Sequence, residues 1–297
     1  MRRGFVDIHT HGAINIDVNC ASVEELLKLS DFFYDHGCDA WLPTVMTAPK
    51  EMMLEACRRV ATAMRNQTKG ARILGVHMEG PFLSPLFSGA MPVDQLIPGD
   101  CRFVEQLIKA CDGKLLKLTL APEIKGNYEV IKEFSKTMSI SLGHSNATYE
   151  EAMKAFELGA GCITHCGNAM RLFHQHEAGL LGAALDYPCM IEIIGDGLHV
   201  APSSVKVLVD LKGTDHVLII TDSMSAAGMG DGEFILGGQR VVVRDGDARI
   251  PEKDVRAGSV LTMDRAFTNI QKFTGLSEDE TFRMFRTNQE KLLGIKL

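Results

Sequence analysis

The sequence has no run of about 18 apolar residues, so nothing in it reads as a helix built to cross a membrane. Its first residues lack the apolar stretch of a secretory signal. Positive charge is also short: 31 Lys and Arg against 38 Asp and Glu leave a net charge of −7 and no basic stripe, which argues against nucleic acid as the main partner. An anionic small molecule is still compatible, because a pocket can be locally positive. No paired cysteine framework is visible. Cys20, Cys38, Cys57, Cys101, Cys111, Cys162, Cys166 and Cys189 are scattered, as expected of reduced thiols in a cytoplasmic protein. Cys162 and Cys166 bracket Thr164-His165, which raises a Cys/His metal knuckle, but no second cysteine pair accompanies them. No glycine-rich dinucleotide fingerprint follows any candidate strand.

The opening Phe5-Val6-Asp7-Ile8-His9-Thr10-His11-Gly12 organises the rest. In an extended strand, residues two apart share a face, so Asp7, His9 and His11 project together and Gly12 lets the chain turn away. Two imidazoles at a buried strand end suit metal ligation; two hydrogen-bonded core histidines are the plainer alternative. Downstream, apolar runs alternate with amphipathic ones. Strands are expected at 40–44, 72–79, 115–120, 139–142, 162–165, 190–194 and 217–221. Helices are expected at 47–66 and 128–136, and after the capping boxes at Ser22-Val23-Glu24-Glu25 and Thr148-Tyr149-Glu150-Glu151. A proline-bearing segment with Pro81, Pro85 and Pro92 reads as a functional loop.

With the opening strand this makes eight β/α units in 297 residues, a length suited to one closed (β/α)₈ TIM-type barrel of class α/β; an open doubly wound sheet is the alternative. Residues 228–256, with Gly237-Gly238, Val241-Val242-Val243 and Asp245-Gly246, are expected to form a β-hairpin insertion after strand 8 within a single domain spanning 1–297. The final helices start near Ser259 and Ser277.

Barrel enzymes carry their chemistry where the strands end. Those ends hold His9, His11, Glu79, His144, His165, His199 and Asp222, so five of the ten histidines and two carboxylates gather there. Such a set points to a divalent metal, with zinc the leading candidate and one or two ions per chain. An ion of that kind acidifies water and polarises a carbonyl, and Asp222 is the candidate to take the water's proton.

The runs FVDIHTHG, HMEGPF, LAPE, GHSNAT, TH-x-x-NAM, GDGLH, TDSMSAAGMGDGEFILGG and GSVLTMDRAFTNI, with a late TNQEKLLG, occur in one order along almost the whole chain. In this the chain resembles the N-acetylglucosamine-6-phosphate deacetylase family of the amidohydrolase superfamily. The resemblance implies a metal-dependent barrel that hydrolyses the acetamide of an amino sugar to acetate and a free amine. It implies Glu79, His144 and His165 as main metal ligands and His9 and His11 as a pair completing a second site. Asp222 is implied as the catalytic acid/base, and His199 as the residue that polarises or orients the acetamide carbonyl. Asn168 and Ala169 are implied as contacts to the sugar phosphate, and His77 as a residue behind the ligands.

Three runs depart from the family pattern, one of them TH-x-x-NAM, where Cys166-Gly167 stands for the usual apolar pair. Ser88-Gly89-Ala90-Met91 replaces a run whose last residue is a substrate-touching histidine, and His176-Glu177-Ala178-Gly179 replaces one that begins with a phosphate-binding arginine. Met91 makes no strong hydrogen bond, and an imidazole at His176 lacks bidentate recognition of phosphate; both are still expected at the substrate, although His174 and His176 are equally readable as exposed loop residues. These substitutions leave an amidase on another N-acyl compound as the alternative substrate reading, and a sugar-sensing protein without turnover as the non-enzymatic one. The family's flanking β-sandwich, built from both chain ends, has too little sequence here. A homodimer is expected by resemblance only.

Overall fold

In the computed structural model, which describes residues 2–297, the apolar runs become parallel strands buried along most of their length. They are β1 (Phe5–Thr10), β2 (Cys38–Met46), β3 (Val76–Glu79), β4 (Leu115–Leu120), β5 (Ser139–Leu142), β6 (Cys162–Ile163), β7 (Met190–Ile194) and β8 (Val217–Ile220). Each pairs in parallel with the next in that order. Helices α1 (Val23–Asp35), α2 (Lys50–Asn66), α3 (Cys101–Ala110), α4 (Asn127–Phe134), α5 (Tyr149–Glu157), α6 (Gly179–Asp186) and α7 (Pro202–Lys212) fill the seven crossovers, and α8 (Met263–Thr274), α9 (Glu278–Arg283) and α10 (Thr287–Leu293) follow β8. This is the (β/α)₈ barrel expected from the sequence.

Between β1 and β8 the barrel closes without a regular ladder. A parallel bridge joins Thr10 to Ser223. Around it the Asp222 amide donates to the His9 carbonyl (2.9 Å) and the His11 amide to the Ser223 carbonyl (2.7 Å). One layer deeper, the Asp7 carboxylate accepts from the Thr221 hydroxyl at 2.5 Å. Burial pushes Asp7 up to about 6, against the hydrogen bonds from Thr221 and the His9 amide. Asp7 therefore serves closure, while His9 and His11 on the same face reach the rim.

Several element boundaries differ from expectation. Helix α2 starts at Lys50 because Pro49 holds its N-cap position with an extended ψ of 137°. The run 72–79 splits at Leu74-Gly75 into a two-residue strand, Arg72–Ile73, and β3. Gly75 passes so close to the Lys114 carbonyl that a Cβ would lie 2.4 Å from it. Strand β6 stops at Ile163 because His165 takes φ 28°.

The segment after β8 is more than a hairpin. Strands β9 (Gly232–Leu236), β10 (Gln239–Arg244), β11 (Asp247–Ile250) and β12 (Val255–Arg256) form a four-stranded antiparallel sheet. Its first two turns, Gly237-Gly238 and Asp245-Gly246, have positive φ at both central positions, as two-residue hairpin loops require. Leu236, Val241, Val243, Ala248 and Ile250 bury a second apolar core against Met46, Leu83, Met91 and Met224 at the barrel rim. Among the described residues, neither chain end forms a sheet outside the barrel.

Candidate metal centre and active site

At the C-terminal rim, Glu79 from the end of β3 stands between two pairs of histidines. Its Oε1 lies 3.2 Å from His144 Nε2, 3.1 Å from His165 Nε2 and 3.5 Å from His9 Nε2. Its Oε2 lies 3.2 Å from His11 Nε2. Two donor groups result, His9–His11–Glu79 and Glu79–His144–His165, sharing the one carboxylate. Asp222 faces the first pair, with Oδ1 3.4 Å from His9 Nε2 and 3.2 Å from His11 Nε2. His144, His165 and Asp222 all hold left-handed backbone, with φ of 47°, 28° and 48°. Non-glycine residues seldom adopt it, and such strain gathers at functional sites.

The donor set fits a metal ion. His144 Nδ1 is within 2.8 Å of the Phe87 carbonyl, His11 Nδ1 within 3.2 Å of the Thr44 carbonyl, and His9 Nδ1 within 3.1 Å of Glu192. With Nδ1 donating, each ring turns a bare Nε2 lone pair inward. His144 Nε2 and His165 Nε2 face each other at 3.1 Å beside Glu79 Oε1, three donor atoms gathered where one cation could sit, and His165 Nδ1 is buried without a partner that would fix its tautomer. His9 Nε2 is buried with no hydrogen-bond partner.

Electrostatics lead to the same assignment. Burial disfavours charge on His9 and His11, yet Glu79 and Asp222 outweigh it and raise these imidazoles to about 9 and about 10. Glu79 is held well below the usual carboxylate range: burial opposes this, and the His9 charge with hydrogen bonds to His11, His144 and His165 prevails. Asp222 is held down at about 2 against its burial by His9 and His11. Without metal, the site holds protons in its place.

A cavity of about 380 Å³ opens over this cluster and is lined by His11, Glu79, His144, His165, His199 and Asp222 together with Asn168, Ala169 and Met91. The Asp196 carboxylate grips His199, accepting its Nδ1 at 2.6 Å and its amide at 2.9 Å, so Nε2 is the ring nitrogen left for the cavity. The Asn168 side chain donates to the His165 carbonyl at 3.2 Å. Met91 stands at the wall but is buried in the second apolar core, a packing residue as much as a lining one.

His176 requires a correction. It is exposed and absent from the cavity wall, at the tip of a loop closed by the bridge between His174 and Glu177. Cys162 and Cys166 are buried free thiols and belong to neither donor group. His77 sits below the ligands, held between the Thr44 and Thr119 hydroxyls at 3.1 and 2.8 Å, and burial with the nearby Lys117 ammonium keeps it neutral.

Sequence reasoning missed Glu192 and Lys117, an ion pair buried inside the barrel. Glu192 also accepts from the His165 amide at 3.2 Å, so one carboxylate orients ligands on two strands. A charged residue inside each apolar run, Met190–Ile194 and Leu115–Leu120, was the available signal.

The amidohydrolase family profile matches residues 4–246. The chain is 33% identical to an N-acetylgalactosamine-6-phosphate deacetylase of Escherichia coli O157:H7, covering 98% of this chain and 77% of that protein. It is 34% identical to an N-acetylglucosamine-6-phosphate deacetylase of Lysinibacillus sphaericus, covering 98% and 75%. A Mycobacterium smegmatis N-acetyl-D-glucosamine-6-phosphate deacetylase mutant, solved in complex with N-acetyl-D-glucosamine-6-phosphate, superposes with a TM-score of 0.94 at 30% identity over 99% of this chain and 78% of its own. The chain thus spans about three-quarters of these relatives' length. Barrel, shared carboxylate and relatives agree: this chain belongs to the amidohydrolase family, within its N-acetylglucosamine-6-phosphate deacetylase branch.

Proposed function

We propose that the protein is a metal-dependent amidohydrolase that removes the acetyl group from an N-acetyl amino-sugar 6-phosphate, N-acetylglucosamine-6-phosphate first among them. One observation carries this reading: Glu79 shared by two histidine donor groups, with the Asp222 carboxylate across from it. Glu79, His144 and His165 are assigned as the primary ligands, and His9 and His11 as the pair that would hold a second ion. Zinc suits this nitrogen-rich set. An ion there supplies a Lewis acid for the amide carbonyl and lowers the pKa of water.

The remaining work falls to side chains. Asp222, ionised at neutral pH, takes a proton from the attacking water and returns it to the amine nitrogen as the C–N bond breaks. His199, held by Asp196, points Nε2 at the carbonyl oxygen and orients the acetamide. Asn168 and the Ala169 backbone contact the sugar. Products are acetate and the amino-sugar phosphate.

A cytoplasmic setting belongs to this reading, and the eight free thiols are consistent with it. A homodimer does too: Leu172 and Phe173, 79% and 55% exposed on the loop before α6, offer an apolar patch for a second copy. The deciding experiment is acetate release by the zinc-loaded protein from N-acetylglucosamine-6-phosphate, its galactosamine epimer, and unphosphorylated N-acetylglucosamine. Turnover of a phosphorylated sugar is expected, and acetate from none of the three would sink the proposal.

A further inference from the structure

A sugar phosphate at this centre has to meet fixed positive charge, and His176 lies outside the cavity. Among the described residues, the only guanidinium or ammonium groups on the cavity wall are those of Arg249 and Arg256, both contributed by the insertion sheet. Arg256 precedes Ala257 and Gly258, which line the same cavity, and the Ser259 amide donates to the Asp222 carbonyl at 2.7 Å. The insertion edge is thereby joined directly to the reacting end of the site. Lys253, in the turn between β11 and β12, reaches the Gly89 carbonyl at 3.3 Å, and Gln239 reaches that of Ala90, tying the sheet to the loop that packs beside His144.

The two arginines are arranged as a pair. Asp247 accepts Arg256 Nε at 2.8 Å and Nη2 at 3.1 Å, and also Arg249 Nε at 3.0 Å. Asp254, itself 89% exposed, accepts Arg249 Nη1 at 2.7 Å. Arg256 Nη1 and Arg249 Nη2 are left without an acceptor among the described residues. Side-chain exposures of 32% and 40% keep both guanidiniums accessible. Residues 247–256 carry three cations, Arg249, Lys253 and Arg256, and three carboxylates, Asp247, Glu252 and Asp254, and of the carboxylates Glu252 is drawn to Arg240 at 3.6 Å.

The geometry points to a phosphate-ester subsite formed by Arg256 and Arg249, with Asp247 as the clamp that positions both. Planar guanidiniums supply the forked recognition of phosphate that an imidazole cannot. The assignment rests on the deacetylase reading and makes this insertion its specificity element.

The test uses the intact metal-loaded protein and its Arg256→Met, Arg249→Met and doubly substituted variants. The first readout is the ratio of kcat/KM for N-acetylglucosamine-6-phosphate to that for N-acetylglucosamine. The double variant is expected to lower it by about tenfold or more, through KM for the phosphorylated sugar. The second needs no turnover: glucosamine 6-phosphate should raise the wild-type Tm more than glucosamine does, and the double variant should lose that difference. Equal losses on both substrates would mean that the arginines only brace the insertion. An unchanged ratio would mean that the charge comes from elsewhere, a second copy included. Either result overturns the subsite. If Met variants fold poorly, Arg256→Lys keeps charge but not the fork, and an intermediate ratio is expected. Absence of acetate from every sugar would count against the deacetylase reading alone, because the thermal shift still scores the arginines.

Discussion

Asp222 and Glu192 are both buried carboxylates, yet their surroundings set them to different tasks. Asp222 lines the cavity and faces His9 and His11 without belonging to either donor group, so it is free to carry a proton. Asp222→Asn is expected to lower kcat by about 10²–10⁴-fold while metal content, measured by elemental analysis, stays the same. Loss of metal with activity would instead make Asp222 a ligand. Glu192 lies beneath the site and neutralises Lys117 while orienting His9. Glu192→Gln leaves a buried ammonium uncompensated, and a stability loss of about 3–5 kcal/mol is expected in chemical denaturation. Metal affinity should fall about 10–100-fold, since the support behind a ligating imidazole is gone. Replacing Lys117 and Glu192 together by Met should restore most of the stability but little of the affinity, which separates the two roles. At this scale strand-end residues were readable because a histidine after an apolar run is conspicuous. Glu192 and Lys117 were not, because pairing across β4 and β7 is invisible until the barrel brings them together.

The helices that announce themselves most clearly are those with local chemistry at their starts. Ser22 with Glu25 and Thr148 with Glu151 form reciprocal capping boxes as their spacing implies, and Ser277 with Glu280 forms a third. Thr148 opens α5 soon after His144, so its cap also fixes how the chain leaves β5. Thr148→Ala is expected to cost about 1 kcal/mol in chemical denaturation with metal binding intact, and a loss of metal as well would show that cap and ligand are coupled. Elements whose limits are set by distant contacts were harder to read. The break at Gly75 answers to the Lys114 carbonyl, and β6 is short because His165 bends toward Glu79. The insertion was legible as β-structure from its alternating valines and turn glycines. Its four-stranded form depends on β11 and β12, too short to stand out, and it is that edge which carries Arg249 and Arg256.

At the level of the whole molecule, β/α alternation was enough to imply a closed barrel, and closure is what turns separated strand ends into one site. It also concentrates charge: four imidazoles meet Glu79, Asp222 and Glu192 at buried positions beneath the cavity. That arrangement links folding, protons and metal. His9 and His11 have raised values of about 9 and about 10 in the metal-free fold, against an ordinary 6.5. A group whose folded value is raised binds its proton more tightly when folded, so its contribution is complete below about 6.5 and disappears as pH climbs through about 9 to 10. The Tm of the metal-free protein should therefore fall across that window. A metal ion needs the same imidazoles deprotonated, so its binding must expel the protons that occupy them near neutrality. Calorimetric titration with zinc in buffers of different ionisation enthalpy should report proton release at pH 7 that diminishes toward pH 10, with affinity rising over the same range. The loaded protein, its imidazoles already engaged, should show a much flatter Tm against pH. Equal slopes for the loaded and metal-free proteins would show that His9 and His11 do not hold the ion.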